Sequence, residues 1–271
     1  MVEERVKKRL LQSAVAIAII SSIVVNILAN ALPINGKLTA EISDSLPDLF
    51  APAGFTFAIW GIIYLLLLVF VAYEARDFFK KDEVDMPFLN RIGLFVIIGS
   101  IANAVWIFLW HYENIGGSLL MMAVLFVSLL FIHQRLHKNA LQSKAEFWCV
   151  WVPFSVYFGW ISVASVANVT AWLVSIGWDG FGIAQTTWMI LILVVVFVLG
   201  FLVLLREADV PYILVFIWAL FGIAMKRLAD DPVFGVQSNI GYLAIAFAVL
   251  LAAGALFFVF VKKSCPLRKL K

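Results

Sequence analysis

Eight apolar runs, at about residues 11–32, 53–74, 90–111, 116–135, 148–173, 183–205, 211–228 and 239–261, constrain this chain more than any other feature. Most are about 20 residues long, which at ~1.5 Å of helical rise per residue crosses the ~30 Å hydrocarbon core of a bilayer. The apolar–polar alternation of a membrane-spanning strand is missing from them, so an outer-membrane barrel does not fit. With 64% of the residues hydrophobic and 14% charged, too little polar surface remains to cover a water-soluble globule. The sequence reads as an all-α integral membrane protein with eight transmembrane helices and the lipid bilayer as its first partner.

The basic residues test that count, because short cytoplasmic segments are enriched in Lys and Arg. If the N-terminus is cytoplasmic, seventeen of the 20 fall on the inner side, among them Arg5, Lys7, Lys8 and Arg9 and the tail from Lys262 to Lys271. Lys37, Lys226 and Arg227 fall outside. Both termini are therefore read as cytoplasmic. The net charge of +3 is spread over separate short segments, which is a topology signal and implies no nucleic-acid partner. The first run ends in "ILANAL", which imitates a signal-peptide cleavage site, but it is longer than a usual signal core and the alternation requires it, so it is read as a retained span. Cys149 and Cys265 are too few and too far apart for a disulfide framework or a metal cluster.

Most connections are short. The longest, residues 33–52, is polar, bounded by Pro33 and Pro52, and long enough to fold over a cavity mouth as a lid. "PFSVYFGW" (153–160) and "PYILVFIW" (211–218) echo one another, a pattern that chance also produces between apolar helices.

Helical periodicity gathers the polar and aromatic residues onto single faces. Asn26 and Asn30 are four apart, as are Trp60 and Tyr64; Asn103, Trp106 and Trp110 fall at i, i+3 and i+7; Tyr157, Trp160, Ala164 and Asn168 form one stripe. In the topology above, Asn26, Asn30, Trp60, Asn103, Trp106, Ala164 and Asn168 all lie in the outer half. An amide facing lipid costs several kcal/mol, so these Asn side chains should turn inward. The expectation is an outward-facing cavity with indole walls and amide rims. Trp110, Trp148, Trp172 and Trp178, near span ends, suit the interfacial belt, whereas Trp60 and Trp160 lie too deep for it.

Other chemistry finds little support. Ser162 and Ser165 have no intramembrane His to activate them. His133 and His137 form an i, i+4 pair beside Arg135 and Lys138, where C-terminal helix cations are ordinary. His111 with Glu113 reads as a solvated loop pair, with axial haem ligation as the alternative. Intramembrane charge is nearly absent, which disfavours an energy-coupled carrier. No metal site is assigned.

The stretch "PAGFTFAIWGIIYLLL" resembles the second-helix signature of the tryptophan-rich sensory protein family (TspO/MBR, which includes the mitochondrial translocator protein), here as Pro52, Trp60 and Tyr64. "NAVW", with Asn103 and Trp106, is similar to the third-helix motif, and "YFGWISVASVAN", with Tyr157, Trp160, Ala164 and Asn168, to the fifth. The sequence departs from the pattern at Val156, where a Pro is usual and Pro153 stands one turn earlier; at Ala51, where the family pairs prolines; and at Thr56, where an aromatic is usual.

The resemblance implies a five-helix bundle over 11–173 capped by the 33–52 loop. A three-helix extension at 183–261, as in longer bacterial relatives, would be flanked by basic cytoplasmic ends at 1–10 and 262–271. It implies a pocket for flat, apolar ligands such as porphyrin or haem, with no cofactor required. Trp60 and Trp160 would be stacking walls, Tyr64 and Tyr157 walls or edges, and Asn103 and Asn168 polar anchors, with Trp106, Ala164, Asn26 and Asn30 completing the lining and Pro52 in the lid. Sensing, transport or disposal of porphyrin in a bacterial plasma membrane follows as the expected role. Facilitative transport of small apolar molecules and light-dependent porphyrin degradation are the alternatives. A homodimer is open, because the added helices could cover the usual dimer face.

Overall fold

The computed structural model describes residues 2–32, 34–78, 80, 84–139 and 142–260. The basic tail at 262–271, with Cys265, lies outside the described residues, as do Pro33 and Lys81. Among the described residues the fold is all-α, and eight helices are long and apolar enough to cross a membrane. They are α1 (Val2–Ala31), α3 (Ile59–Glu74, entered through a 3₁₀ turn at Gly54–Ala58), α4 (Pro87–His111), α5 (Ile115–Lys138), α7 (Val152–Ser175), α8 (Gln185–Glu207), α9 (Val210–Leu228) and α10 (Ser238–Phe260). Two short helices complete the set, α2 (Thr39–Ser45) and α6 (Lys144–Glu146).

The helix ends follow local chemistry. Pro87 and Pro211 sit in the first turns of α4 and α9, where the missing N–H has no helical partner to lose. The Asp209 side chain caps α9 by accepting from Tyr212 N at 3.2 Å, and Asn114 caps α5 by accepting from Gly117 N at 2.9 Å. Between α6 and α7 the chain widens into a π turn at Phe147–Trp151, which ends two residues before Pro153. Proline cannot donate to the carbonyl four residues back and its ring crowds that turn, so the helix loosens just ahead of it.

Two regions differ from the sequence reading. The basic segment 1–10 is helical from Val2 and continues directly into the first span. Glu3 and Glu4 favour a helix N-terminus, and Lys7 pairs with Glu3 one turn away at 2.7 Å. The 33–52 connection contains a helix, α2, seated by Ile42, which is 1% exposed.

The chain divides into two compact units, one of residues 1–39 and 60–158, the other of residues 40–59 and 159–271. In the first, α1 packs on α4 and α4 on α5. Phe70 of α3 meets Phe88 at 6.2 Å and Phe154 at 4.8 Å between ring centroids. The N-terminal turns of α1 fasten the segment after α3: Lys8 pairs with Asp77 at 2.5 Å and donates to the Val84 carbonyl at 2.6 Å, while buried Gln12 donates to the Glu74 carbonyl and to Asp77. Burial opposes ionisation of Asp77, but the bonds from Lys8, Gln12 and the Val84 N–H outweigh it and hold the carboxyl down at about 2.

In the second unit α10 packs on both α9 and α8, and α9 carries the 53–58 turn. Ala53 N donates to the Gly222 carbonyl at 3.1 Å, and Trp218 Nε1 donates to the Thr56 carbonyl at 2.9 Å. A Cβ on Gly222 would lie 2.0 Å from Thr56 Oγ1, so only glycine admits this approach.

Candidate functional site

In the first unit the α3 pair Trp60 and Tyr64 stack on one another, with ring centroids 5.5 Å apart and planes at 29°. Four-residue spacing puts them one above the other on the same helix face. Trp60 continues the stack onto Trp106 of α4 at 6.2 Å and 28°, and Trp106 continues it onto Trp110 at 5.9 Å and 22°. Tyr157 of α7 meets Trp60 edge-on, 6.0 Å away at 68°. Trp106 and Tyr157 are buried, whereas Trp60 and Tyr64 are half-buried.

A polar chain runs beside these rings. Asn26 Nδ2 donates to Asn103 Oδ1 at 3.0 Å and to the Ser22 carbonyl at 2.9 Å, and Asn103 Nδ2 donates to the Tyr157 hydroxyl. Both amides are 2% exposed. The two thus satisfy each other across α1 and α4, as buried amides must when water is absent. Asn30 does otherwise: it is exposed, its Nδ2 donates to the Asn26 carbonyl of its own helix at 3.0 Å, and its Oδ1 accepts from Thr39 at 3.5 Å.

Two expectations for the end of α4 are corrected. Trp110 is not a belt residue; it is 5% exposed and donates from Nε1 to the Thr39 carbonyl at 3.2 Å. His111 is not a solvated partner of Glu113. It is fully buried, with Nε2 against Thr39 Oγ1 at 3.0 Å and Nδ1 against the Ile34 carbonyl at 3.1 Å, while Glu113 pairs with Lys37 at 2.5 Å. With both ring nitrogens engaged, His111 ties the segment after α1 to α4. Among the described residues no group of three His, Cys, Asp or Glu is placed to hold a metal ion. His133 and His137 stack at 6.2 Å and 16°, and both rings meet Trp151.

The remaining sequence-selected residues fall in the second unit. Trp160 is 3% exposed and meets Phe57 edge-on at 6.1 Å and 82°. Asn168 is buried and reaches the Ala164 carbonyl of its own helix at 3.4 Å; Ala164 is half-buried. Pro52 is buried immediately before the turn that α9 holds.

This unit also contains a cavity of about 400 Å³, which the sequence reading missed. The segment before Ala51 contributes Asp48 and Phe50, α7 contributes Val166, Val169, Thr170, Leu173 and Val174, and α8 contributes Gln185, Trp188, Met189 and Ile192. The connection between the two helices closes it with Trp178 and Asp179. The α7 residues fall at i, i+3, i+4, i+7 and i+8, a stripe legible in the sequence but passed over because it lacks aromatics. Asp48 is 9% exposed; one oxygen accepts from Thr170 Oγ1 at 2.5 Å and the other from Phe50 N at 2.8 Å. Burial pushes its carboxyl above the ordinary carboxylate range, against the pull of those hydrogen bonds and of Arg227 and Lys226. Trp188 is fixed by donating from Nε1 to the Gly180 carbonyl at 2.9 Å, and Gly180, at φ +68°, leaves room for the indole that a Cβ would meet at 3.1 Å.

The sequence reading placed Lys226 and Arg227 on the outer side. Arg227 is fully buried and pairs with Asp231, four residues on, at 3.0 Å, and Lys226 pairs with Asp44 of α2 at 2.5 Å.

No curated protein and no solved structure matches this chain significantly. A family model described as "TSPO-like protein" matches residues 12–257, including α8, α9 and nearly all of α10, so the match runs well beyond the five helices that carry the recognisable motifs. Over most of its length, and in the three helices that hold Trp60, Asn103 and Trp160, the chain belongs to the TSPO-like family.

Proposed function

We propose that this protein binds flat, largely apolar ligands within the membrane, with porphyrin or haem-type tetrapyrroles as the leading class, and that the aromatic cluster around Trp60 receives them. The observation that carries this reading is the stack of Trp60, Tyr64 and Trp106 beside the hydrogen-bonded Asn26, Asn103 and Tyr157. Indole and phenol faces suit a planar conjugated ring, and amides suit its polar edge. The rings now touch one another, so a ligand would enter by parting them. Trp60 and Tyr64, the half-buried members, are the residues to move. Trp160 and Asn168 are carried in this reading as a further wall and anchor by family resemblance. Both termini in the cytoplasm of a bacterial plasma membrane, and a homodimer, belong to the same reading.

Protoporphyrin IX titrated into the purified protein should quench Trp fluorescence saturably, and Trp60→Ala should weaken the binding about tenfold, on the scale of one lost aromatic stack. Unquenched emission, or binding unchanged in Trp60→Ala and Trp106→Ala, would remove the proposal. The continuous contact from Trp60 through Trp106 to Trp110 favours one second reading, in which these indoles act as electron partners in light-dependent oxidation of bound porphyrin, with dioxygen as the oxidant. Loss of porphyrin absorbance in light, absent in the dark and slowed in Trp106→Phe, would separate the enzyme from the binder.

A further inference from the structure

The cavity in the second unit differs in chemistry from the aromatic cluster. Its volume of about 400 Å³ lies in the range of small-molecule sites, and most of its lining is apolar. Among the described residues, the ionisable ones on that lining are Asp48 and Asp179, and no Lys, Arg or His lines it. A tetrapyrrole bearing propionates would meet two acids and no cation there. A cation would meet the reverse, together with the Phe50, Trp178 and Trp188 rings, whose faces attract positive charge.

Asp48 is the focus of that preference. Its oxygens each hold one donor, and a carboxylate oxygen can accept a second. Among the described residues no Lys or Arg nitrogen comes within 4.0 Å of it, because the nearby cations are already paired, Lys226 with Asp44 and Arg227 with Asp231. The upward displacement of its carboxyl agrees with a buried acid short of a counter-charge.

We propose that this cavity is a binding site for a small amphiphilic amine, whose apolar body lies against Phe50, Trp188 and the Val166–Leu173 stripe and whose ammonium group meets the Asp48 carboxylate. The site uses none of the residues assigned to tetrapyrrole binding, so the two proposals stand or fall separately. The same ammonium chemistry occurs on ethanolamine lipids, and the experiment distinguishes that source from a free amine.

Three matched probes decide it: 1-naphthylmethylamine, 1-naphthalenemethanol and 1-naphthylacetic acid, measured by equilibrium dialysis against the full chain in phosphatidylglycerol nanodiscs, with uptake by protein-free discs, which themselves favour cations, subtracted. The expected order is amine over alcohol over acid, with the amine ahead of the alcohol by about tenfold or more, the usual advantage of a charge-assisted hydrogen bond. Asp48→Asn should remove that advantage and leave alcohol binding unchanged. Ile192→Trp should fill the cavity and abolish binding of amine and alcohol alike. Both variants should keep wild-type protoporphyrin binding if that ligand binds the aromatic cluster. Competition by phosphatidylethanolamine in the discs would identify the lipid as the amine source, and its absence a free amine. Equal affinity for the three probes, preference for the acid, or an amine advantage that survives Asp48→Asn would overturn the proposal. Should Asp48→Asn fail to fold, the probe order in the wild-type protein remains decisive.

Discussion

The Asn26–Asn103–Tyr157 chain shows what a single polar side chain does in a setting without water. Each amide was expected to face inward because lipid offers it no partner, and Asn26 and Asn103 solve the problem by bonding to each other and, through Asn103, to Tyr157. Replacing Asn103 by Ala leaves the Asn26 amide without its cross-helix acceptor, so stability should fall by about 1–2 kcal/mol in thermal or denaturant unfolding in detergent. Asn30→Ala should cost much less, since that side chain is exposed. Sequence spacing put Trp60 with Tyr64 and Asn103 with Trp106 on common faces, because helical period decides faces directly. Spacing could not foresee that Trp110 and His111 would be buried under Thr39, since their partners lie more than 70 residues away in sequence.

Between elements, two joints hold the helices through charge and through close approach. The Lys8–Asp77 joint fastens α1 to the segment after α3. Because the folded-state pKa of Asp77 lies at about 2, below its ordinary value, its contribution is complete above pH ~4 and lost as pH falls towards 2. That contribution is about 2 kcal/mol at most. Unfolding followed between pH 5 and pH 2 should show this loss in the wild type and a flatter profile in Asp77→Asn. At the other joint, Gly222→Ala should destabilise by about 1–3 kcal/mol through collision with Thr56, and Thr56→Ala in the same chain should recover part of the loss. Thr56 Oγ1 is buried without a hydrogen-bond partner, so Thr56→Ala alone should be nearly neutral. The existence of each long helix was legible from length and hydropathy, whereas the start of α4 at Pro87 lies before the run that begins at about residue 90. The helical stretch from Val2 to Leu10 and α2 were not legible, because charged residues that suit a loop suit an exposed helix equally well.

For the whole molecule, eight spans, an even number, would bring both ends of the described chain to one face, and the proposed topology makes that face the cytoplasmic one. A reporter that fluoresces only in the cytoplasm should therefore be active when fused at either end. Activity at one end alone would break the span count. Family membership over residues 12–257 was partly legible, since the motifs that carry the resemblance end at Asn168 while the match continues to α10. The cavity around Asp48 was not, because its walls come from a loop and two helices whose separate patterns are unremarkable. In the proposed function the Trp60 cluster opens to receive a flat ligand. A structure of the protein with protoporphyrin IX bound should show the macrocycle against displaced Trp60 and Tyr64 rings, with Asn103 or Tyr157 at its edge. Porphyrin bound elsewhere, with Trp60 still stacked on Tyr64 and Trp106, would contradict it.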